Sequence, residues 1–237
     1  MSLIIDNYLR KHGFERFVPK AVLFDMDGVL YDSMRHHAIA WQQSMREYGI
    51  KMTEADAYAT EGARGIDTIS NMVFRQKGKR IAEAEAQEMY DAKTRIFHAM
   101  GNPQVMPGVK ELMDDISRQG LRIGVVTGSG QRPLIARLLT DFGEFLDEAH
   151  IVTAYDISRG KPNPDPYLKG MQKAGVSPWE TVVVENAPLG VRAGVASGAF
   201  TIAVNTGPLP DESLTSQGAD LLFGKMTELR DAWHQLF

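Results

Sequence analysis

Cysteine is absent from the 237 residues of this chain. Its absence excludes disulfide bonds, thiolate metal sites and cysteine nucleophiles, and it fits a reducing compartment, so we expect a cytoplasmic protein. Uninterrupted apolar runs of the roughly 18 residues that a membrane helix needs are also absent. The first apolar run, Leu3–Ile5, is broken by Asp6 and later by Arg10, so we expect neither a signal peptide nor a membrane partner.

An excess of basic residues is missing as well. Lys and Arg number 26 against 30 Asp and Glu, which gives a formal net charge of −4. Because nucleic acids usually bind to a basic face, we expect no nucleic-acid partner. The length and the apolar content of 43% suffice for one full α/β domain and a smaller second domain. We expect a monomer that acts on a small molecule.

The hydrophobic pattern predicts a parallel α/β sheet. The apolar run in 20–24 stops at Asp and Gly, which is typical of a strand buried on both faces. After residue 106 helical and strand patterns alternate, which favours a Rossmann-like parallel sheet with helices on both faces. Further strands are expected at 121–126, 151–153, 181–184, 200–204 and 219–223. Helices are expected at 3–12, from 109 onward, around Pro133, and at 165–174, 188–197 and 226–237.

Residues 32–100 differ from the rest of the chain in composition and hydrophobic pattern. Strand-like runs vanish, and Ala, Glu, Gln, Met and Arg dominate, as helices prefer. We therefore predict an inserted α-helical cap domain. The predicted boundaries are 1–18 for an N-terminal helical extension, 19–32 and 104–237 for the Rossmann-like core, and 33–103 for the helical cap.

Two carboxylates, Asp25 and Asp27, follow the first predicted strand. If the backbone is still extended there, both side chains point the same way, and a cation would relieve their repulsion. Hard oxygen ligands favour Mg²⁺. Gly28 lets the chain turn sharply afterwards. The alternative is an acidic turn whose carboxylates cap backbone N–H groups.

A second polar cluster, Thr127-Gly128-Ser129-Gly130, closes the next predicted strand and precedes a helix. Hydroxyls and free backbone N–H groups at such a junction form a cradle for an anion. No Gly-Lys-Ser/Thr follows, so this is not a Walker P-loop. An ordinary glycine-rich turn with a helix cap is the other interpretation.

Two further elements stand at later predicted strand ends. Lys161 precedes three prolines that stiffen the backbone, and a positioned ammonium can neutralise a phosphoryl group. Glu185 and Asn186 supply oxygen ligands suited to a Mg²⁺ shell. The alternatives are a solvated lysine and an asparagine that caps the following helix.

Together the four elements resemble the haloacid dehalogenase superfamily of phosphohydrolases and phosphomutases, in the same order and with a helical insertion at the place of that family's cap. The resemblance covers nearly the whole chain after residue ~18. It implies that Asp25 is the nucleophile that forms an aspartyl-phosphate. It implies that Asp27 is the general acid for the leaving group and then the base for the acceptor.

The resemblance also implies roles for the remaining elements. Thr127 and Lys161 would hold the phosphoryl oxygens, with Gly128 and Ser129 beside them. Mg²⁺, the expected cofactor, would be held by Asp25, the backbone carbonyl of Asp27 and the Glu185–Asn186 pair.

Within the family, the sequence resembles the β-phosphoglucomutase branch but departs from it in two places. Asn186 stands where a second carboxylate is usual, and Glu61 stands where the mutases have a lysine. We hypothesise that Glu61 reaches the metal and restores the missing charge, as suits a small, highly charged substrate. A solvated loop carboxylate is the alternative for Glu61. A bacterial subgroup that hydrolyses inorganic pyrophosphate also resembles this chain.

Three residues of the predicted cap, His37, Arg64 and Lys93, are candidates for binding substrate. A structural histidine and surface salt bridges are the alternatives. The expected function is a Mg²⁺-dependent phosphatase for a small phosphorylated compound, with pyrophosphate as the favoured substrate. The competing expectations are β-phosphoglucomutase activity and a non-catalytic phosphate-binding module.

Overall fold

The structure, a computed structural model, describes residues 2–129 and 132–237. Across these residues six strands form one parallel sheet in the order β3-β2-β1-β4-β5-β6. The strands are β1 Ala21–Phe24, β2 Arg122–Val126, β3 Ile151–Val152, β4 Thr181–Glu185, β5 Phe200–Val204 and β6 Leu221–Phe223. The predicted parallel α/β sheet is confirmed.

Eleven α-helices occur within the described ranges. They are α1 Ser2–His12, α2 Met34–Glu47, α3 Glu54–Ala59, α4 Gly65–Lys77, α5 Glu83–Ala99, α6 Val109–Arg118, α7 Arg132–Phe142, α8 Asp165–Ala174, α9 Pro188–Ala196, α10 Glu212–Thr215 and α11 Met226–Leu236. None of the described helices is long and apolar enough to cross a bilayer. The short helix α10 has too few residues to show a helical period in the sequence.

Strand β1 is buried on both faces, which explains its continuous apolar sequence. Val22 and Phe24 join a core cluster that includes residues of α6 and α11, whereas Leu23 joins a cluster that includes residues of α8 and α9. Side chains alternate along a strand, so these clusters lie on opposite faces of the sheet. Helices therefore cover both faces, as predicted.

Small differences at strand ends have local causes. Leu121 was expected in β2, but its N–H donates to Ile116 O at 3.2 Å and closes the end of α6 instead. Thr153 was expected in β3, but its side chain caps the short turn Ala154–Asp156. Both residues have backbone or side-chain partners outside the sheet, so the strands begin or end next to them.

Helices α2–α5, here called the insertion, lie between β1 and β2 in the chain and share an apolar cluster of their own. The two segments that connect the insertion to the sheet run side by side. Asp32 N donates to Gln104 O at 2.9 Å, and Met106 N donates to Leu30 O at 2.8 Å. The insertion thereby starts and ends above the carboxyl end of β1. The exact domain boundaries remain a prediction.

The N-terminal helix α1 packs against the sheet domain. Tyr8 is fully buried, and its hydroxyl donates to Gly198 O at 2.8 Å. Lys11 Nζ donates to Gly218 O at 2.7 Å. The helix predicted at 3–12 is confirmed, and its apolar face contributes to the main core.

Candidate active site

The carboxyl end of β1 places Asp25 and Asp27 in a nearly buried position. Asp25 N–H donates to Val184 O at 2.9 Å, which continues the pairing of β1 with β4. Met26, between the two aspartates, is fully buried in the core. Gly28 then turns the chain with a φ of +81°, and a Cβ there would lie 1.9 Å from Asn186 Nδ2. The turn therefore needs glycine both for its backbone angle and for its contact with Asn186.

Lys161 is held between two carboxylates. Its Nζ lies 2.5 Å from Asp25 Oδ1 and 2.6 Å from Glu185 Oε1, and it donates to Val126 O at 3.2 Å. Burial lowers the pKa of Lys161, but the charges of Asp25 and Glu185 outweigh burial and raise it overall. The lysine is therefore a cation beside the predicted nucleophile.

Burial also acts on the predicted nucleophile. It raises the pKa of Asp25, and the neighbouring carboxylates of Glu185 and Asp27 act in the same direction. Lys161 acts in the opposite direction through its charge and its hydrogen bond. The carboxylate is thus poorly solvated and depends on adjacent positive charge, as befits a nucleophile.

The carboxylate of Glu185 is fully occupied by donors within the protein. Oε1 accepts from Lys161 and from the Tyr167 hydroxyl at 2.8 Å. Oε2 accepts the N–H groups of Asn186 at 2.9 Å and Ala187 at 3.1 Å. Glu185 is completely buried. Its predicted role as a metal ligand stays a prediction, and the contacts favour a role in holding Lys161.

Asn186 presents an oxygen without a partner. Its Nδ2 donates to Thr206 Oγ1 at 3.4 Å, but its buried Oδ1 has no hydrogen-bond partner among residues 2–129 and 132–237. A buried carbonyl oxygen left unpaired is costly, and a bound cation would satisfy it. The same described ranges contain no group of three or more His, Cys, Asp or Glu side chains placed to hold a metal. A metal ion would thus depend on Asn186.

Asp27 lies at the end of a polar chain that reaches into the insertion. Ser33 Oγ donates to Asp27 Oδ1 at 2.6 Å, and His37 Nε2 lies 3.0 Å from the same oxygen. Lys93 Nζ lies 2.7 Å from His37 Nδ1. Burial raises the pKa of Asp27, but the adjacent His37 and the Ser33 hydroxyl outweigh it and lower the pKa to about 2. Ser33 was not among the predicted site residues, although the sequence placed it where the cap begins.

Lys93 is buried against aromatic rings. Burial lowers its pKa to about 8, although the charges of Glu61 and Asp27 act to raise it. Its Nζ lies 5.0 Å from the Trp41 ring centroid and 5.2 Å from that of Phe97. Trp41 and Phe97 were not predicted to line the site, because buried aromatic residues at helical spacing also occur in ordinary cores.

The Thr127-Gly128-Ser129 segment follows β2, and its fourth residue, Gly130, lies outside the described residues. Thr127 is buried, and its Oγ1 accepts the Ser129 N–H at 3.0 Å. Its own N–H donates to Val152 O at 3.0 Å, which fixes the segment to the end of β3. The segment lies at the same sheet edge as Asp25, as the sequence predicted.

Several of these groups line one cavity of about 40 Å³, here called the inner cavity, whereas Lys161, Glu185 and Asn186 are not part of its lining. From the sheet domain it is lined by Asp25, Asp27, Thr127, Gly128, Ser129 and Leu134. From the insertion it is lined by His37, Trp41, Thr60, Glu61, Ala63, Gly65, Thr68, Tyr90, Lys93 and Phe97. The structure therefore brings Glu61 and Lys93 to the same cavity as the two aspartates.

The segment 60–65 of the insertion is seated directly on the sheet domain. A Cβ on Gly62 would lie 3.0 Å from Lys161 Cδ, and a Cβ on Gly128 would lie 3.2 Å from Gly62 O. Side chains at these glycines would press on the facing surface by a few tenths of an ångström. The segment thus reaches the site through close contacts at two glycines.

Arg64 faces away from the inner cavity. Its Nε and Nη2 donate to the Asp67 carboxylate at 2.8 and 2.9 Å, and a Cβ on Gly160 would lie 2.8 Å from its Cγ. The bidentate pair raises the pKa of Arg64. The residue is not on the lining of the inner cavity, and its predicted role in binding substrate stays a prediction.

Comparisons with known proteins agree with the fold and the motifs. The sequence profile of the haloacid dehalogenase-like hydrolases matches residues 22–204. Hexitol phosphatase A of Escherichia coli (strain K12) is 35% identical over 78% of this chain and 83% of its own length. The beta-phosphoglucomutase of Bacillus subtilis (strain 168) is 27% identical over 91% of this chain and 96% of its own length.

Solved structures give the same result. The protein named "Putative beta-phosphoglucomutase from Bacteroides vulgatus" superposes with a TM-score of 0.95 at 46% identity, covering 99% of this chain and 95% of that one. A hydrolase from Pseudomonas syringae, 21% identical, shares the fold with a TM-score of 0.81 over 92% of this chain and 99% of its own. The resemblance seen in the motifs is thereby confirmed: the chain is an enzyme of the haloacid dehalogenase-like hydrolase family.

Proposed function

We propose that this enzyme is a Mg²⁺-dependent phosphohydrolase that forms an aspartyl-phosphate on Asp25, and that its preferred substrate is inorganic pyrophosphate. The observation that carries the proposal is the inner cavity, in which Glu61 and Lys93 of the insertion face the two aspartates of the sheet domain. A small anion that binds together with Mg²⁺ would suit both groups, because Glu61 would face the cation and Lys93 would face the anion.

Asp25 performs the first step. A carboxylate oxygen forms a bond to phosphorus while the bridging P–O bond of pyrophosphate breaks and one phosphate leaves. Lys161, held 2.5 Å from Asp25 Oδ1, stabilises the negative charge of the transferring group. The Thr127 hydroxyl and the Gly128 N–H contact the same phosphoryl oxygens, because the N–H groups of Thr127 and Ser129 already have acceptors within the protein. Water then attacks the aspartyl-phosphate while the P–O bond to Asp25 breaks. Asp27 accepts the proton of the water and releases it to solvent, which returns both aspartates to carboxylates.

The residues at the site fit Mg²⁺. The unpaired Asn186 Oδ1 and the Asp25 carboxylate supply oxygens, and Asp27 adds its backbone carbonyl and Glu61 its carboxylate. Bound there, Mg²⁺ supplies positive charge against the phosphate oxygens. Asn186 in place of an acid leaves this set with one negative charge fewer, and Glu61 restores it from the insertion.

The charged lining of the inner cavity favours a small anion bound with a cation over a sugar phosphate, because the carboxylates of Asp25 and Glu61 line the same space as the ammonium of Lys93. Pyrophosphate has no sugar ring to accommodate. Its second phosphate would meet the ammonium of Lys93, which is buried and therefore interacts strongly with an anion.

The second candidate is β-phosphoglucomutase, which the 46% identity to the Bacteroides vulgatus protein favours. Both candidates phosphorylate Asp25 and differ in the acceptor that takes the phosphoryl group. The test measures, with Mg²⁺, phosphate release from pyrophosphate and glucose 6-phosphate formation from β-glucose 1-phosphate. We expect kcat/KM for pyrophosphate to exceed that of the mutase reaction at least about tenfold.

The reverse ratio would establish the mutase. A panel that includes hexitol phosphates covers the activity named for the Escherichia coli relative. Binding of phosphate compounds without any turnover across that panel would instead indicate a non-catalytic module and would contradict both candidates.

A further inference from the structure

A second, larger cavity lies outside the inner cavity and shares its wall. This outer cleft has a volume of about 560 Å³. Gly65, Tyr90 and Gly128 line both spaces. The outer cleft also receives the side of α5 that carries Glu83, Gln87 and Asp91, all of which are exposed. The two spaces are therefore adjacent, and these three residues form part of the wall between them.

Tyr90 covers Gly65 in this wall. A Cβ on Gly65 would lie 2.1 Å from Tyr90 Cε2 and 2.2 Å from Tyr90 Cδ2, so the ring rests on the glycine backbone. Even an alanine at position 65 would overlap with the ring. The pair joins the first turn of α4 to α5, and both residues line the two spaces.

Neighbouring groups restrict the ring of Tyr90. The Trp41 ring centroid lies 6.2 Å away, and Lys93 Nζ, one turn further along α5, lies 5.8 Å from the Tyr90 centroid. Lys93 faces the inner cavity only, whereas Tyr90 faces both spaces. The ring is thus the boundary between a charged interior and a polar exterior.

We propose that Tyr90 is a specificity-determining residue: its ring, packed on Gly65, closes the inner cavity against the outer cleft and excludes phosphate esters with a polyol or sugar group. Such an ester would place its phosphate at Asp25 and its organic group in the outer cleft. The carboxylates there would accept hydrogen bonds from its hydroxyl groups, and the amide would accept hydrogen bonds from them or donate to them. This inference rests on the proposed function and assigns the residue that limits the size of its substrate.

The test compares two substrates in the same enzyme preparation. Acetyl phosphate is the small reference, and a hexitol 6-phosphate is the large ester. The ratio of their kcat/KM values does not depend on the fraction of active enzyme, so a loss of folded protein leaves it unchanged. Tyr90→Ala should raise the large-to-small ratio at least about tenfold. Tyr90→Phe keeps the ring and should keep the wild-type ratio.

Phe74→Ala is the matched control, because Phe74 is an exposed aromatic residue of the insertion that lines neither space. It should leave the ratio within about twofold of wild type. If Tyr90→Ala leaves the ratio unchanged, the inference is wrong. Tyr90→Leu is a second truncation, and loss of turnover on both substrates in both variants would also contradict a role limited to size. A wild-type enzyme inactive on pyrophosphate would contradict the proposed function. The ratio of kcat/KM for the large ester to that for acetyl phosphate would still test the role of Tyr90.

Discussion

Lys161 Nζ lies 2.6 Å from Glu185 Oε1, and both side chains are buried. The next residue, Asn186, keeps its Oδ1 unpaired within the described ranges. Two successive residues at the end of β4 thus have different roles. The Glu185 carboxylate already accepts hydrogen bonds from donors that include Lys161, whereas Asn186 Oδ1 is left for a ligand. This division leads to separate predictions for the two positions.

Glu185→Gln should lower kcat with little change in the Mg²⁺ requirement. The amide keeps the shape of the side chain but loses the charge that holds the Lys161 ammonium, and one of its two ends becomes a donor facing other donors. We expect kcat to fall about 10–100-fold, while the Mg²⁺ concentration for half-maximal activity stays within about threefold. Steady-state assays over a Mg²⁺ titration measure both. The exposed Glu111→Gln is the control and should change neither. A large rise in the Mg²⁺ requirement would instead make Glu185 a ligand.

Asn186→Ala should raise the Mg²⁺ requirement and leave kcat at saturating Mg²⁺ nearly unchanged. Among residues 2–129 and 132–237 it removes the one side-chain oxygen of the site that is buried and unpaired, so metal affinity should fall about 10–100-fold. Saturating Mg²⁺ should restore most of kcat. Isothermal titration of the protein with Mg²⁺ measures the affinity without turnover. An unchanged affinity would remove Asn186 from the metal site.

The sequence predicted the parts of the site that local pattern controls. Asp25 and Thr127 follow strands of one parallel sheet and Glu185 ends another, and parallel strands bring their carboxyl ends to one edge. Lys161 could be predicted because the prolines that follow it limit its direction. Those groups indeed meet at that edge.

Other features depend on distant contacts that no local period encodes. The ring of Tyr90 rests on Gly65 because α4 and α5 pack together, and nothing around either residue signals the pair. Arg64 pairs with Asp67 three residues later, which the helical spacing allowed but did not require. The full occupation of Glu185 follows from Tyr167, which the sequence could only assign to a helix.

Glu61→Ala should raise the Mg²⁺ requirement and weaken pyrophosphate hydrolysis. The side chain lines the same cavity as Asp25, and a carboxylate near a divalent ion stabilises it strongly. We expect kcat/KM for pyrophosphate to fall about 10–100-fold. Glu88→Ala removes an exposed carboxylate of the same insertion and serves as the control. Equal activity of Glu61→Ala and wild type at limiting Mg²⁺ would contradict the hypothesis.

Lys93 should give an alkaline limit to activity. Its pKa is lowered to about 8, with burial as the largest cause. Below that pH the folded enzyme carries the ammonium, and above it the charge is lost. We therefore expect kcat/KM for pyrophosphate to fall as pH rises through about 8, at a slope approaching tenfold per pH unit.

The variant Lys93→Arg separates this ionisation from others. A guanidinium stays protonated well above pH 8, so the fall should move to higher pH. The alkaline fall in kcat should also occur at a higher pH than the fall in kcat/KM, because bound phosphate raises the pKa of a nearby lysine. Identical alkaline limbs for wild type and Lys93→Arg would assign the ionisation to another group.

Gly62→Ala should prevent the insertion from seating on the sheet domain. Gly62 has a φ of +84°, and an added Cβ would lie 3.0 Å from Lys161 Cδ. Two costs follow: the left-handed backbone destabilises any L side chain by about 1 kcal/mol, and the contact with Lys161 must open. Gly78→Ala isolates the second cost. Gly78 lies in the same insertion with a φ of +63°, but no atom lies within 4 Å of its Cβ position.

Gly62→Ala should therefore lose at least as much stability as Gly78→Ala, measured by thermal unfolding, while only Gly62→Ala loses activity. We expect its kcat/KM to fall at least about tenfold, because Glu61 next to it would no longer be held in the inner cavity. Equal activities of Gly62→Ala and Gly78→Ala would mean that the backbone contact at Lys161 does not position Glu61. In that case Glu61 would have to reach the site by a motion of the segment 60–65 that tolerates a methyl group.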